Sequence, residues 1–150
     1  MMRGLIRLLK DTAGAVVIET ALLTPALVLM SVGTFQVSQV VARQHELQAG
    51  ADEAMSMALG GWVDNDTQIG VMKTVIQRST GVASDNITIT RMYRCGLATS
   101  YVTDKSTCAS TDIVSSYLKL KLKDTYNPMW TSFGVGAPIN LGVVRMVQVS

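Results

Sequence analysis

Between Asp11 and Arg43 the chain carries one charged side chain, Glu19. No other feature limits the fold so strongly. A helix needs about 20 apolar residues to cross the hydrocarbon core of a bilayer, and this stretch is long enough to cross it and continue. A secretory signal peptide has an apolar core of roughly 7 to 15 residues, closed by a small-residue cleavage motif. Here the run is longer and no A-x-A motif closes it. The stretch therefore reads as a retained anchor, whereas a cut near residues 31–42 would make it an ordinary signal peptide.

The flanks orient that anchor. Arg3, Arg7 and Lys10 precede the apolar run with only Asp11 against them, and from Ala15 onward 10 basic side chains face 10 acidic ones. The formal net charge of +2 thus belongs to the first dozen residues and not to a nucleic-acid-binding surface. Basic residues beside a membrane segment stay cytoplasmic, so the C-terminal part is expected on the far side. One later cluster, Lys119, Lys121 and Lys123, alternates along a strand and falls on its solvated face.

Glu19 needs a reason to lie in an apolar helix, because a carboxylate there is costly. It either sits close enough to the cytoplasmic face to snorkel or be protonated, or it meets a positive partner at its own depth. Cleavage after Gly14 would create such a partner, the α-amino group of Ala15, four residues before Glu19 on the same helix. The carboxylate would then also lie near the positive end of the helix dipole. Between neighbouring chains the same amine–carboxylate attraction becomes a docking rule.

The run Lys10-Asp11-Thr12-Ala13-Gly14-Ala15-Val16-Val17-Ile18-Glu19 resembles a type IV prepilin processing site: a basic leader, Gly before the cut, Glu at mature position five, then a long apolar helix. Its continuation through Thr20-Ala21-Leu22-Leu23-Thr24-Pro25 is similar to the TadE/TadG-like pseudopilins of the tight-adherence (Tad/Flp, type IVc) pilus system. That group tends to have Pro six residues after the Glu, as Pro25 is here, and commonly an aromatic where this chain has Thr20. Further resemblance runs through Ala42–Gln48, Tyr93–Cys95 and Trp130–Gly136.

The resemblance implies a bacterial inner-membrane protein whose leader is removed by a prepilin peptidase. It implies partners among other pilin or pseudopilin subunits and the Tad assembly machinery, and a role in assembling Flp-type pili for surface adherence. The catalytic groups would be the peptidase's, so the chain is expected to be no enzyme, with no cofactor and no metal.

Beyond the bilayer the helical period persists. Val37, Val40, Val41, Gln44, Leu47, Ala51, Ala54, Met55 and Ala58 recur at three- and four-residue steps until Gly60-Gly61. A single helix from Ala15 to Leu59 would be about 68 Å long at 1.5 Å per residue. Pro25 lacks an N–H and either kinks this helix or is simply tolerated in it. His45, the only histidine, has no nucleophile or carboxylate set pointing to it and reads as a surface residue.

A second, shorter helix is expected between the capping residues Asn65, Asp66 and Thr67 and the stop at Gly81, with Ile69, Met72, Val75 and Ile76 on its apolar face. Three strands follow, over residues 86–93, 117–123 and 140–149. Residues 127–138 read as a loop whose Trp130 and Phe133 fold back onto the sheet or form a docking patch. Cys95 and Cys108 bracket the first connection, where a disulfide would close a loop of about 14 residues. An exported compartment permits that bond. Two cysteines and a distant His45 make no structural zinc site.

The expected architecture is α+β and pilin-like. A leader over 1–14 precedes a transmembrane helix over 15–36. Its periplasmic continuation covers 37–60, and a small domain with an antiparallel sheet covers 61–150. The alternative is an uncleaved, single-pass anchor carrying a periplasmic binding or interaction domain.

Overall fold

The computed structural model describes the backbone of residues 12–61, 65–134 and 136–150, and their side chains apart from residues 12–15 and 133. The leader residues Arg3, Arg7, Lys10 and Asp11 lie outside it. The chain divides into two units, one ending at Gln39 and the other running Val40–Ser150. Helix α1 (Thr12–Leu59) is followed by α2 (Asp66–Thr80), β1 (Ile87–Cys95), β2 (Val114–Tyr126) and β3 (Ile139–Gln148). This is an α+β fold with a three-stranded antiparallel sheet in the order β1-β2-β3.

Local chemistry sets the element ends. Gly61, at φ 75°, takes the left-handed conformation that closes α1. At the start of α2 the Asn65 side chain accepts from the Gln68 amide at 2.9 Å, and the Gln68 side chain accepts from the Asn65 amide at 3.1 Å. This reciprocal pair satisfies two donors that the first turn would otherwise leave open. Gly81 ends α2 at φ 67°, its amide donating to the Gln77 carbonyl at 2.9 Å.

Strict alternation in β2 buries Leu118, Leu120 and Leu122 and leaves Lys119, Lys121 and Lys123 exposed. In register, Ile87 faces Leu122 and Ile89 faces Leu120 on one side, while Leu122 faces Val143 on the other. The helices cover this face of the sheet. Leu47, Ala51, Ala54, Met55 and Ala58 of α1 join Met72 and Ile76 of α2 in one buried cluster with the three leucines. Val41 falls outside it at 49% exposure. Six residues at 100° each place it about 120° around the helix from Leu47, off the buried stripe.

Polar ties hold the layers in register. Arg43 donates from Nε to Asp124 at 2.7 Å, and from Nη1 to Glu46 and to the Thr80 carbonyl, each at 2.7 Å. Burial works to lower its pKa, but the hydrogen bonds it donates to Glu46 and Asp124 outweigh that and hold the guanidinium above its ordinary value. Arg145 of β3 reaches Asp52 of α1 at 2.9 Å.

At Gly50 an added Cβ on the first helix would collide with the Thr80 methyl group of the second. Gly50→Ala is expected to lower the melting temperature, corresponding to a net loss of up to about 2 kcal/mol. The overpacking cost of about 1–3 kcal/mol exceeds the gain of about 1 kcal/mol in helix propensity. Adding Thr80→Ser, which removes the obstructing methyl, should return most of the loss in the same thermal scan.

Candidate processing and assembly site

The residues singled out for processing and assembly all lie on α1. Gly14 and Ala15 fall in its first turn, Glu19 one turn further, and Pro25 inside it. The helical assignment continues through Pro25 without interruption. Glu19 is exposed, among neighbours that are exposed as well. Val16, Val17 and Ile18 are 62%, 68% and 66% exposed, and Leu27 through Met30 are all more than half exposed. Successive residues step 100° around a helix, so these runs put apolar surface on its whole circumference. A soluble core helix would bury that surface. A helix apolar all round is at home in a bilayer, and this one is a candidate membrane span by length and composition.

Its hydroxyl groups fit the same solvent. Thr20 donates to the Val16 carbonyl at 2.8 Å, Thr24 to Thr20 at 2.6 Å, Ser31 to Leu27 at 2.9 Å and Thr34 to Met30 at 2.9 Å. Each donor is satisfied within the helix, as an apolar surrounding requires. This back-bonding is invisible in hydropathy, although Ser or Thr in an apolar helix is the signal for it.

The remaining candidates fall elsewhere. Cys95, at the end of β1, and Cys108 form a disulfide with Cα atoms 5.3 Å apart. The loop between them is pinned a second time by paired backbone hydrogen bonds of 2.7 and 2.8 Å between Tyr93 and Val102. His45 is exposed. Trp130 is half-buried in a 3-10 turn (Met129–Phe133), and the Phe133 side chain lies outside the described residues. Among the described residues no three His, Cys, Asp or Glu side chains are placed to share a metal ion.

One polar arrangement escaped the sequence. Arg94 stacks over the Tyr117 ring at 5.7 Å from its centroid, and Tyr101 meets the same ring edge-on at 5.0 Å. This cluster fastens the disulfide-bonded loop to one end of the sheet's outer face, and only strand pairing brings its members together.

These features define an α+β protein with, among the described residues, one candidate membrane-spanning helix on its N-terminal side. Residues 14–55 match the family of TadE-like proteins. The matched region starts at Gly14, contains Glu19 and Pro25, and ends four residues before α1 does, so the chain carries a TadE-like segment over most of that helix. No curated protein and no solved structure matches the chain significantly.

Proposed function

We propose that this chain is a minor pseudopilin of a Tad pilus system, processed between Gly14 and Ala15 by a prepilin peptidase and acting in assembly of Flp-type pili. The observation that carries the reading is the TadE-like match over residues 14–55, which opens at the Gly of the processing motif and holds Glu19 at the fifth position after the cut. The exposed apolar circumference of α1 supports a membrane anchor, and the basic residues Arg3, Arg7 and Lys10 before it would keep the leader cytoplasmic and put the sheet-bearing unit in the periplasm. The chain is a substrate of the peptidase and performs no catalysis of its own.

Glu19 would act through charge. Removal of the leader exposes the Ala15 amine one helical turn, about 6 Å along the axis, from Glu19. In a bilayer neither group has another strong partner, so the amine of one subunit and the carboxylate of its neighbour set their axial register.

The test is the intact mass of the protein from membranes that contain the matching peptidase. A chain starting at Ala15 supports processing. A chain starting at Met1 or Met2 overturns it in favour of an uncleaved anchored interaction protein, and a cut near residues 31–42 overturns the anchor itself. Glu19→Gln is then expected to reduce recovery of assembled pili tenfold or more, with the amount of protein in the membrane unchanged. Normal piliation in that variant would leave Glu19 without its assigned role.

A further inference from the structure

Alternation along β1 puts Arg91 on the same face of the sheet as Ile87 and Ile89, the face that packs on the helices. Strand pairing sets it opposite the buried Leu118, and sets Tyr93 opposite Ser116. A guanidinium on that face needs partners. Among the described residues its one ion-pair contact runs from Nη1 to Asp66 at 3.9 Å, and the Asp66 side chain is 99% exposed. The Nε and Nη2 atoms are shielded from solvent and have no hydrogen-bond partner. Arg43 and Arg145, by contrast, each donate from Nε to a carboxylate.

A cavity of about 110 Å³ lies against this arginine, and its lining includes Tyr93, Ser116, Leu118, Val149 and Ser150. One water takes up roughly 30 Å³, so there is room for a larger guest. Among the described residues no Asp or Glu side chain lines it. Ser150 is held at its wall by its carbonyl, which accepts from the Ser116 amide at 2.7 Å. The cavity thus joins hydroxyl groups, two apolar side chains and a cation with open donors, a few convergent polar groups in a partly apolar recess. The Nε–H and one Nη2–H of a guanidinium point in the same direction along one edge and match the two oxygens of a carboxylate. Leaving both donors shielded and unpaired is costly.

We propose that this cavity binds a carboxylate group, held by two parallel hydrogen bonds from the Nε and Nη2 edge of Arg91. The Asp66 contact is too long and too solvated to fix the guanidinium, so rotation about the end of the side chain turns that edge toward the cavity. The Arg91 side chain keeps 29% of its surface exposed, so an acid arriving from solvent meets it directly. Leu118 and Val149 favour a carboxylate over a phosphate, because the carbon next to a carboxyl group lies comfortably against them while a fourth oxygen would not. The volume limits the bound part to a short acid. It is either a small free carboxylic acid or an Asp or Glu side chain that a partner polypeptide presents. This site goes beyond the proposed pseudopilin role and does not require leader removal.

The test uses full-length, nitrogen-15-labelled protein in uncharged detergent micelles at pH 7. Sodium acetate replaces sodium chloride at constant ionic strength while the arginine Nε–H resonances are followed by nuclear magnetic resonance. Expected is a saturable shift of one resonance, absent from the spectrum of Arg91→Lys, with half-saturation at millimolar acetate. Arg91→Lys keeps the charge and loses the paired donors, so it should weaken acetate binding about tenfold, read from the Ser116 and Val149 amide signals. Arg91→Gln should abolish the saturable change. Lys121→Gln, on the outer face, removes an equal charge and should leave the affinity unchanged. Unchanged circular dichroism establishes that each variant folds. Comparing acetate with N-acetylglutamate α-amide separates the sources. Equal affinity supports a small free acid, and tenfold tighter binding of the glutamate mimic supports a partner's acidic side chain. A linear, unsaturable drift overturns the proposal and leaves the cavity to water. Equal acetate affinity in the wild-type protein and Arg91→Lys also overturns it, as does tenfold tighter binding of inorganic phosphate than of acetate.

Discussion

Leu120→Ala should destabilise the Val40–Ser150 unit by about 2–5 kcal/mol, the range for removing a fully buried leucine side chain. Leu120 is completely shielded from solvent at the middle of the central strand, between Leu118 and Leu122, opposite Ile89 on β1. Both helices contribute to the same cluster. A methyl stump there leaves a void bounded by a hydrogen-bonded sheet on one side, which cannot collapse to fill it. Lys121→Ala, one residue along and on the outer face, provides the control and should change stability by no more than about 0.5 kcal/mol. Denaturant unfolding of the full-length protein in micelles, followed by the strand signal in circular dichroism, separates the two. Equal effects would mean that the core is not on the face assigned to it.

Replacing both cysteines by serine should cost about 3 kcal/mol, the chain-entropy value for a closed loop of this length. The two residues are 13 apart in sequence. The bridge limits the unfolded chain, and it spares the folded loop 96–107 from ordering against full conformational freedom. The Tyr93–Val102 hydrogen bonds and the Tyr101–Tyr117 contact survive the substitution. The sheet should therefore keep its register, with the loss concentrated in unfolding free energy. Comparing denaturant midpoints of the wild-type protein and the double variant checks the cost. Proteolysis between Leu97 and Ser110, faster in the variant, reports where the freedom has gone. Identical midpoints would show that the loop is closed equally well without the bond.

Much of the local structure is legible because it depends on neighbours a few residues away. The capping residues at 65–67, the stop at Gly81 and the lysine–leucine alternation give α2 and the centre of β2 directly. The strands extend further than alternation alone suggests. β1 reaches Cys95 and β2 begins at Val114, since paired main-chain groups carry a ladder through residues such as Ser115 and Ser116 whose side chains show no pattern. Likewise the apolar recurrence on α1 includes Val41, but burial follows the shape of the sheet beneath it.

By itself the sequence determined the long apolar helix, the motif around Gly14 and Glu19, the cysteine pair and the two faces of β2, because each is written in the order of adjacent side chains. Only the tertiary structure decided that Arg43 would meet Asp124, 81 residues away, that Gly50 would admit Thr80, and that Arg145 would reach Asp52. Such pairings depend on how helices settle on a sheet, where a shift of one residue or one turn changes every partner, and no local period encodes that choice.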